Sequence, residues 1–366
     1  MIFRRFYDDA LAQASYMIAC EQTAEAVVID PNLDLGTYLD AARATGVRIT
    51  EVTETHIHAD FASGSRALAA ATGARLNVSA EGGIEWQYGF AHEPGVRLLR
   101  EGDVIEVGMV RLVARHTPGH TPEHLSFLVT DTARSEEPLG ALTGDFIFVG
   151  DVGRPDLLER AAGKVGTMDD AARSLYASIK SFAQLPDYLQ IWPGHGAGSA
   201  CGKAMSSASQ STLGYERIAN WAFAPMSESD FIERVLDGQP AAPPYFGAMK
   251  VRNRDVPTPR PHELARKIAA DQLASLIAAH TVAVIDVRNK DEWTSGHIDG
   301  AVLIPLPEFH NRLDEIPRDR PVLVLCEHGS RSAAAAATLD AWGFDDVHDL
   351  VGGFYEWEAT GHPVAR

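Results

Sequence analysis

Four short clusters of histidine and aspartate, each set directly after a strand-like apolar run, constrain this 366-residue chain more than any other feature. The first, Thr55-His56-Ile57-His58-Ala59-Asp60-Phe61, follows the run from Val47 to Val52 and leads to Gly64. The second is Thr117-Pro118-Gly119-His120, the third Leu142-Thr143-Gly144-Asp145 and the fourth Ile191-Trp192-Pro193-Gly194-His195. A strand that ends in a tight turn fixes the direction of the next side chain, so several such ends can aim imidazoles and carboxylates at one point. Those donors suit zinc, manganese or ferrous ions. His116 and His124 read instead as turn residues that hydrogen-bond the backbone.

The length calls for two domains, and a 45% hydrophobic, 22% charged composition supplies material for both cores. Around the clusters, strands are predicted over 15–20, 24–30, 47–53, 75–78 and 103–114, with helices over 35–45 and 65–72, the first of these stopped by Gly46. Asp8 and Asp9 interrupt the apolar core that a signal peptide would need. Six prolines between Gly238 and Pro261 divide the chain into a first domain over 1–240, a linker over 241–261 that prevents a continuous helix, and a second domain over 262–366.

The order His-x-His-x-Asp, Pro-Gly-His, Gly-Asp, Pro-Gly-His resembles the metallo-β-lactamase superfamily, and the resemblance implies an αββα sandwich with the site at one sheet edge. It places His56, His58 and His120 around one metal, Asp145 at or between metals, and Asp60 and His195 at a second. The superfamily's hydrolases generally carry a histidine directly after that aspartate, and here the position is Phe61, which cannot bind a metal. A single ion on His56, His120 and Asp145 would then have two imidazoles and one carboxylate on one face, the pattern of non-haem ferrous oxygenases. That set also matches the ligands of persulfide dioxygenases, a branch of the superfamily. His58, Asp60 and His195 would orient the ligands or serve a second ion. Gly153-Arg154-Pro155-Asp156 resembles an element of the same branch, which makes Arg154 a candidate for an anionic substrate, with an Arg154–Asp156 structural pair as the alternative. Cys201 lies close enough after His195 to reach the site, and a buried inert thiol is the alternative.

In the second domain, apolar runs over 281–287 and 321–325 read as buried parallel strands, and the latter ends in Cys326-Glu327-His328-Gly329-Ser330-Arg331-Ser332 before a helix predicted from Ser332 to Trp342. Loop amides, the helix dipole and Arg331 would favour a thiolate at Cys326. Together with Asp286-Val287-Arg288, Gly296-His297-Ile298 and Gly352-Gly353, this is similar to a rhodanese sulfurtransferase, a small doubly wound α/β domain. Its resemblance implies Cys326 and Arg331 as catalytic residues and His328 as a substrate contact.

The combination resembles persulfide dioxygenase–rhodanese fusions. It implies oxidation of a small thiol persulfide such as glutathione persulfide by O₂ to sulfite with one Fe²⁺ per chain, and sulfane-sulfur exchange with thiosulfate or sulfite at Cys326. A zinc thioester hydrolase of the glyoxalase II kind and a non-catalytic persulfide carrier are the alternatives. A formal charge of −18 excludes nucleic acid and anionic membranes as partners. Cys20, Cys201 and Cys326 are too scattered for a disulfide framework, which places the chain in a reducing, cytoplasmic setting. A homo-oligomer is compatible with all of this.

Overall fold

The computed structural model describes every residue except 10, 158–166, 241, 244–245, 256–265, 310–311 and 342. The chain divides into two units, Met1–Val256 and Pro257–Arg366.

The first unit contains two six-stranded sheets. One runs in order β1 (Ile2–Asp8), β2 (Gln13–Cys20), β3 (Glu25–Ile29), β4 (Arg48–Thr53), β5 (Arg75–Ser79) and β6 (Val96–Leu99). The other consists of β7 (Val104–Val107), β8 (Val110–His116), β9 (Leu125–Asp131), β10 (Gly140–Gly144), β11 (Gln190–Pro193) and β12 (Ser211–Thr212), again side by side in chain order. Both sheets mix pairings: β3 to β6 are parallel, and so are β10 and β11, while β7 to β10 are antiparallel.

Side-chain alternation builds the layers. From β2, Tyr16 and Ile18 point into an apolar layer shared with Leu112, Phe127, Val129, Leu142 and Trp192 of the second sheet. Met17 and Ala19 point the other way, against Tyr38 and Ala41 of the helix Leu35–Thr45 and Leu68 of the helix Ser65–Thr72. The outer face of the second sheet is covered by the helices Met168–Phe182 and Glu228–Leu236 through Leu175, Ile179, Phe231 and Val235. The result is helix, sheet, sheet, helix, the predicted αββα sandwich. With both faces of β2 covered, all eight of its residues are buried.

Two expectations are corrected. The run predicted over 103–114 is a hairpin, and Gly108 at its turn has φ +57 and no room for a side chain beneath Cys20 and Thr23. The supposed linker over 241–261 contains the helix Phe246–Asp255, which packs into the first unit. Its prolines flank the helix rather than interrupt it, so they do not break it.

The second unit is a parallel sheet in the order β13 (Arg266–Ile268), β17 (Val347–Leu350), β16 (Val322–Leu325), β14 (Ala283–Asp286) and β15 (Val302–Leu303). Ile268, Leu273, Leu323, Leu325, Leu350 and Trp357 belong to its core. The helix placed after Cys326 runs from Ser330 to Ala341, and Trp342 lies outside the described residues. Among the described residues no helix is long and apolar enough to cross a membrane.

Candidate functional site

The turns after β4, β8 and β10 bring His56, His120 and Asp145 together, all buried, with one donor atom of each within 4.8 Å of the others. Asp145 Oδ2 lies 3.5 Å from His120 Nε2 and 4.0 Å from His56 Nε2. It is buried with no hydrogen-bond partner among the described residues.

Hydrogen bonds on the far side of each ring set the tautomers. Asp30 Oδ2 accepts the Thr55 hydroxyl at 2.9 Å, so the Thr55 oxygen can accept from His56 Nδ1 at 3.0 Å. His120 Nδ1 donates to the Arg154 carbonyl at 3.1 Å. Both Nε2 atoms therefore carry free lone pairs toward Asp145, and burial pushes both imidazoles down from their usual range, which keeps them neutral. An orphaned carboxylate oxygen facing two neutral imidazole nitrogens fits a divalent metal ion.

His195 lies on the other side of Asp145. Its Nδ1 is 2.7 Å from Asp145 Oδ1 and its Nε2 is 2.7 Å from Asp60 Oδ2. Burial alone would push this imidazole down, but Asp145 and Asp60 together raise it well above the ordinary value. Asp60, His195 and Cys201 form a second group of donors within 4.8 Å of one another. Burial, reinforced by Asp145 and Asp60, pushes the Cys201 thiol well up, so it stands there neutral.

In the second unit Cys326 directly follows β16 and is buried. The Gly329 amide donates to its Sγ at 3.0 Å, and Ser332 Oγ is 3.6 Å from the sulfur. Gly353 lies directly behind: a Cβ there would meet the Glu327 carbonyl at 2.4 Å and the Cys326 carbonyl at 2.5 Å, at φ +65.

The sequence matches the metallo-beta-lactamase superfamily over residues 8–195 and the rhodanese-like domain over residues 269–360. The chain belongs to the metallo-beta-lactamase superfamily. It carries a C-terminal rhodanese domain in addition. A metallo-beta-lactamase from Staphylococcus aureus subsp. aureus COL is similar along nearly the whole length, with 38% identity, a TM-score of 0.73, and 95% of this chain and 98% of that chain covered. ETHE1 from Myxococcus xanthus gives 28% identity and a TM-score of 0.57 over 70% of this chain and 99% of its own. A hydroxyacylglutathione hydrolase of Polaromonas sp. (strain JS666) is 37% identical over 199 residues, covering 53% of this chain and 66% of the hydrolase, just under two thirds of it.

Within this metallo-beta-lactamase unit lie Arg154 and His58, for each of which the sequence left two readings open. Arg154 is fully buried; its guanidinium is forked on Asp156 at 2.8 Å and donates to the carbonyls of Ala200 and Pro240. It therefore holds structure, and its contribution to the site is the carbonyl that orients His120. His58 is not one of the three grouped donors: its Nε2 is 3.1 Å from Asp30 Oδ1, its Nδ1 is buried without a hydrogen-bond partner among the described residues, and its ring packs on the buried Phe61. In the rhodanese unit, Arg331 is held by Glu292 in a two-pronged pair at 2.6 and 2.7 Å, while His328 is exposed beside Tyr355.

Three contributors, Asp30, Glu123 and Asn253, escape a reading of the sequence, and a fourth, His124, bonds the backbone as a turn residue was expected to. Asp30, at φ +52, accepts the Thr55 amide and hydroxyl as well as His58. Glu123 accepts the Ile57 amide at 2.9 Å, and burial pushes its carboxyl up to about 7. His124 accepts the Asp145 amide at 3.1 Å, and burial lowers it to about 3. Asn253 bonds three backbone groups of the 58–63 loop. The only local signal for Asp30 and Glu123 is polarity at a strand end or beside a proline, and Asn253, within the helix Phe246–Asp255, has neither.

Proposed function

We propose that the chain oxidises a low-molecular-weight thiol persulfide with O₂ at a mononuclear non-haem iron, and that its rhodanese unit exchanges sulfane sulfur through Cys326. The observation that carries this is the partnerless oxygen of Asp145, facing the two neutral Nε2 atoms of His56 and His120, with Phe61 where a further ligand histidine would stand. Two imidazoles and one carboxylate leave several coordination positions open on a ferrous ion.

An Fe²⁺ ion held there would supply the redox chemistry that lets a closed-shell persulfide react with triplet O₂. Overall, one persulfide, one O₂ and one water give one thiol and sulfite. The protein's own part is geometric: Thr55 and the Arg154 carbonyl fix the imidazoles, and His195 occupies the second oxygen of Asp145. In the rhodanese unit, the Cys326 sulfur attacks the outer sulfur of thiosulfate, an S–S bond forms, and sulfite departs as the original bond breaks. The proposed substrates are accordingly a persulfide such as glutathione persulfide, O₂, and thiosulfate or sulfite.

Purification without oxygen, followed by metal analysis and persulfide-dependent oxygen uptake, tests the reading. About one iron per chain with uptake is the expected result; two zinc ions per chain with thioester hydrolysis overturns it. The second reading, a zinc thioesterase, is favoured by the likeness to the hydroxyacylglutathione hydrolase and by the retained Asp60–His195 pair.

A further inference from the structure

The helix Phe246–Asp255 lies beyond residues 8–195 that match the superfamily, yet one of its side chains carries the loop of the first histidine cluster. Asn253 is buried, with 7% of its surface exposed. Its Oδ1 accepts the Ser63 amide at 3.0 Å, and its Nδ2 donates to the carbonyls of His58 and Phe61, both at 2.8 Å. One planar amide thus satisfies three backbone groups of a loop that makes no strand or helix of its own.

Asp60 sits between those fixed carbonyls. From it runs a line of contacts, Asp60 Oδ2 to His195 Nε2 at 2.7 Å and His195 Nδ1 to Asp145 Oδ1 at 2.7 Å. The far oxygen of Asp145 is the one that faces His56 and His120. The helix has its own anchors besides Asn253: Phe246 packs with Phe148, Leu157 and Cys201, the Gly89 amide donates to the Arg254 carbonyl at 2.8 Å, and the Arg254 guanidinium donates to the Glu85 carbonyl at 2.9 Å.

We propose that Asn253 is a positioning residue for the metal centre: it fixes the 58–63 loop so that Asp60 holds His195 and His195 turns the partnerless oxygen of Asp145 toward the two imidazoles. This rests on the metal reading above. Replacing the amide with an apolar side chain leaves two buried carbonyls and one N–H without partners, and the loop must move to find water. The effect reaches the ion through Asp60, so a change at either residue should largely pre-empt the other.

The test uses full-length protein loaded with cobalt(II), whose visible absorption reports the geometry of its ligands. Asn253→Leu should release the ion to a chelator about tenfold faster or more and alter the spectrum, as removing a residue that supports a ligand does. Asp60→Asn should act in the same direction, and the double variant should add little to either. Val251→Ala, at an exposed position of the same helix, should hold cobalt as the unchanged protein does. Where Asn253→Leu does not fold, Asn253→Asp serves: it keeps the acceptor, loses both donors and should also release the ion faster. Unchanged release from the Asn253 variants, equal leakage from Val251→Ala, or full additivity with Asp60→Asn overturns the proposal. If the unchanged protein takes up no cobalt, the metal reading fails, and hydrogen exchange in ion-free protein decides about the loop. Faster exchange over residues 58–63 in Asn253→Leu upholds the clamp, and unchanged exchange removes it.

Discussion

Nδ1 of His195 lies 2.7 Å from Oδ1 of Asp145, so this histidine, which the sequence offers either to a second ion or as an orienting group, is in place to orient the carboxylate of the first. This separates the residues that would touch an ion from those that hold them.

The separation predicts a graded series. His56→Ala, His120→Ala and Asp145→Ala should each lose bound iron and all persulfide-dependent oxygen uptake. Asp60→Ala, which acts through His195, should keep the ion with affinity weakened by about 10- to 100-fold. Iron content and oxygen uptake on the same preparations check this. An Asp60→Ala protein as empty as His56→Ala refutes the division.

His58 gives a pH signature. Burial alone would lower its imidazole, but Asp30 at 3.1 Å raises it to about 9, above the ordinary 6.5. A base whose folded-state value is raised binds its proton more tightly when folded. Its stabilisation is therefore complete below about pH 6.5 and disappears as pH rises through 9. The melting temperature of ion-free protein should fall across that window, and His58→Gln, which keeps a donor for Asp30, should flatten the fall. An equally steep fall in His58→Gln would show that another group is responsible.

What the sequence disclosed follows from the range of the forces involved. Three of the four clusters were legible because a proline-glycine or glycine-aspartate turn after an apolar run is local chemistry, the first because its His-x-His-x-Asp spacing is equally local, and the sandwich and the rhodanese sheet follow from the same alternation of strand and helix. Asp30, Glu123 and Asn253 were not, because their partners are backbone groups 25, 66 and 190 residues away, and nothing near any of the three marks it as a support. Arg154 was left with two readings, an anion site and a pair with Asp156. A guanidinium beside glycine suggests an anion site, but the carboxylate two residues on, Asp156, takes it first. The helix Phe246–Asp255 was hidden by the prolines around it, which bound a helix as readily as they forbid one.

Gly353 fixes the rhodanese loop from behind. At φ +65 with two carbonyls within 2.5 Å of an added Cβ, Gly353→Ala must displace the Cys326–Glu327 backbone. The cost of the backbone conformation alone is about 1–3 kcal/mol, and the clash adds to it. Thiosulfate sulfurtransferase activity should drop by more than about tenfold, while iron content and persulfide-fed oxygen uptake stay unchanged. Gly343→Ala, also at positive φ but with open space around it, is the control and should leave sulfur transfer near its original level.

The last prediction concerns the independence of the two chemistries. Cys326 belongs to the unit Pro257–Arg366 and the His56, His120 and Asp145 group to Met1–Val256, each with an apolar core of its own. The metal site needs only a persulfide that diffuses to it, so Cys326→Ser should leave oxygen uptake on supplied persulfide nearly intact. Uptake fed by thiosulfate should vanish, because its outer sulfur must first be taken by a nucleophilic thiolate, and a serine hydroxyl is scarcely ionised and forms no persulfide. The volume change is small, and the Gly329 amide that donates to the sulfur at 3.0 Å can donate to an oxygen, so the loop should persist. Oxygen consumption by the Cys326→Ser protein, measured with each sulfur source in turn, checks the point. Equal loss with both sources would mean that Cys326 delivers sulfur directly to the metal site, and unchanged thiosulfate-fed uptake would mean that sulfur enters elsewhere.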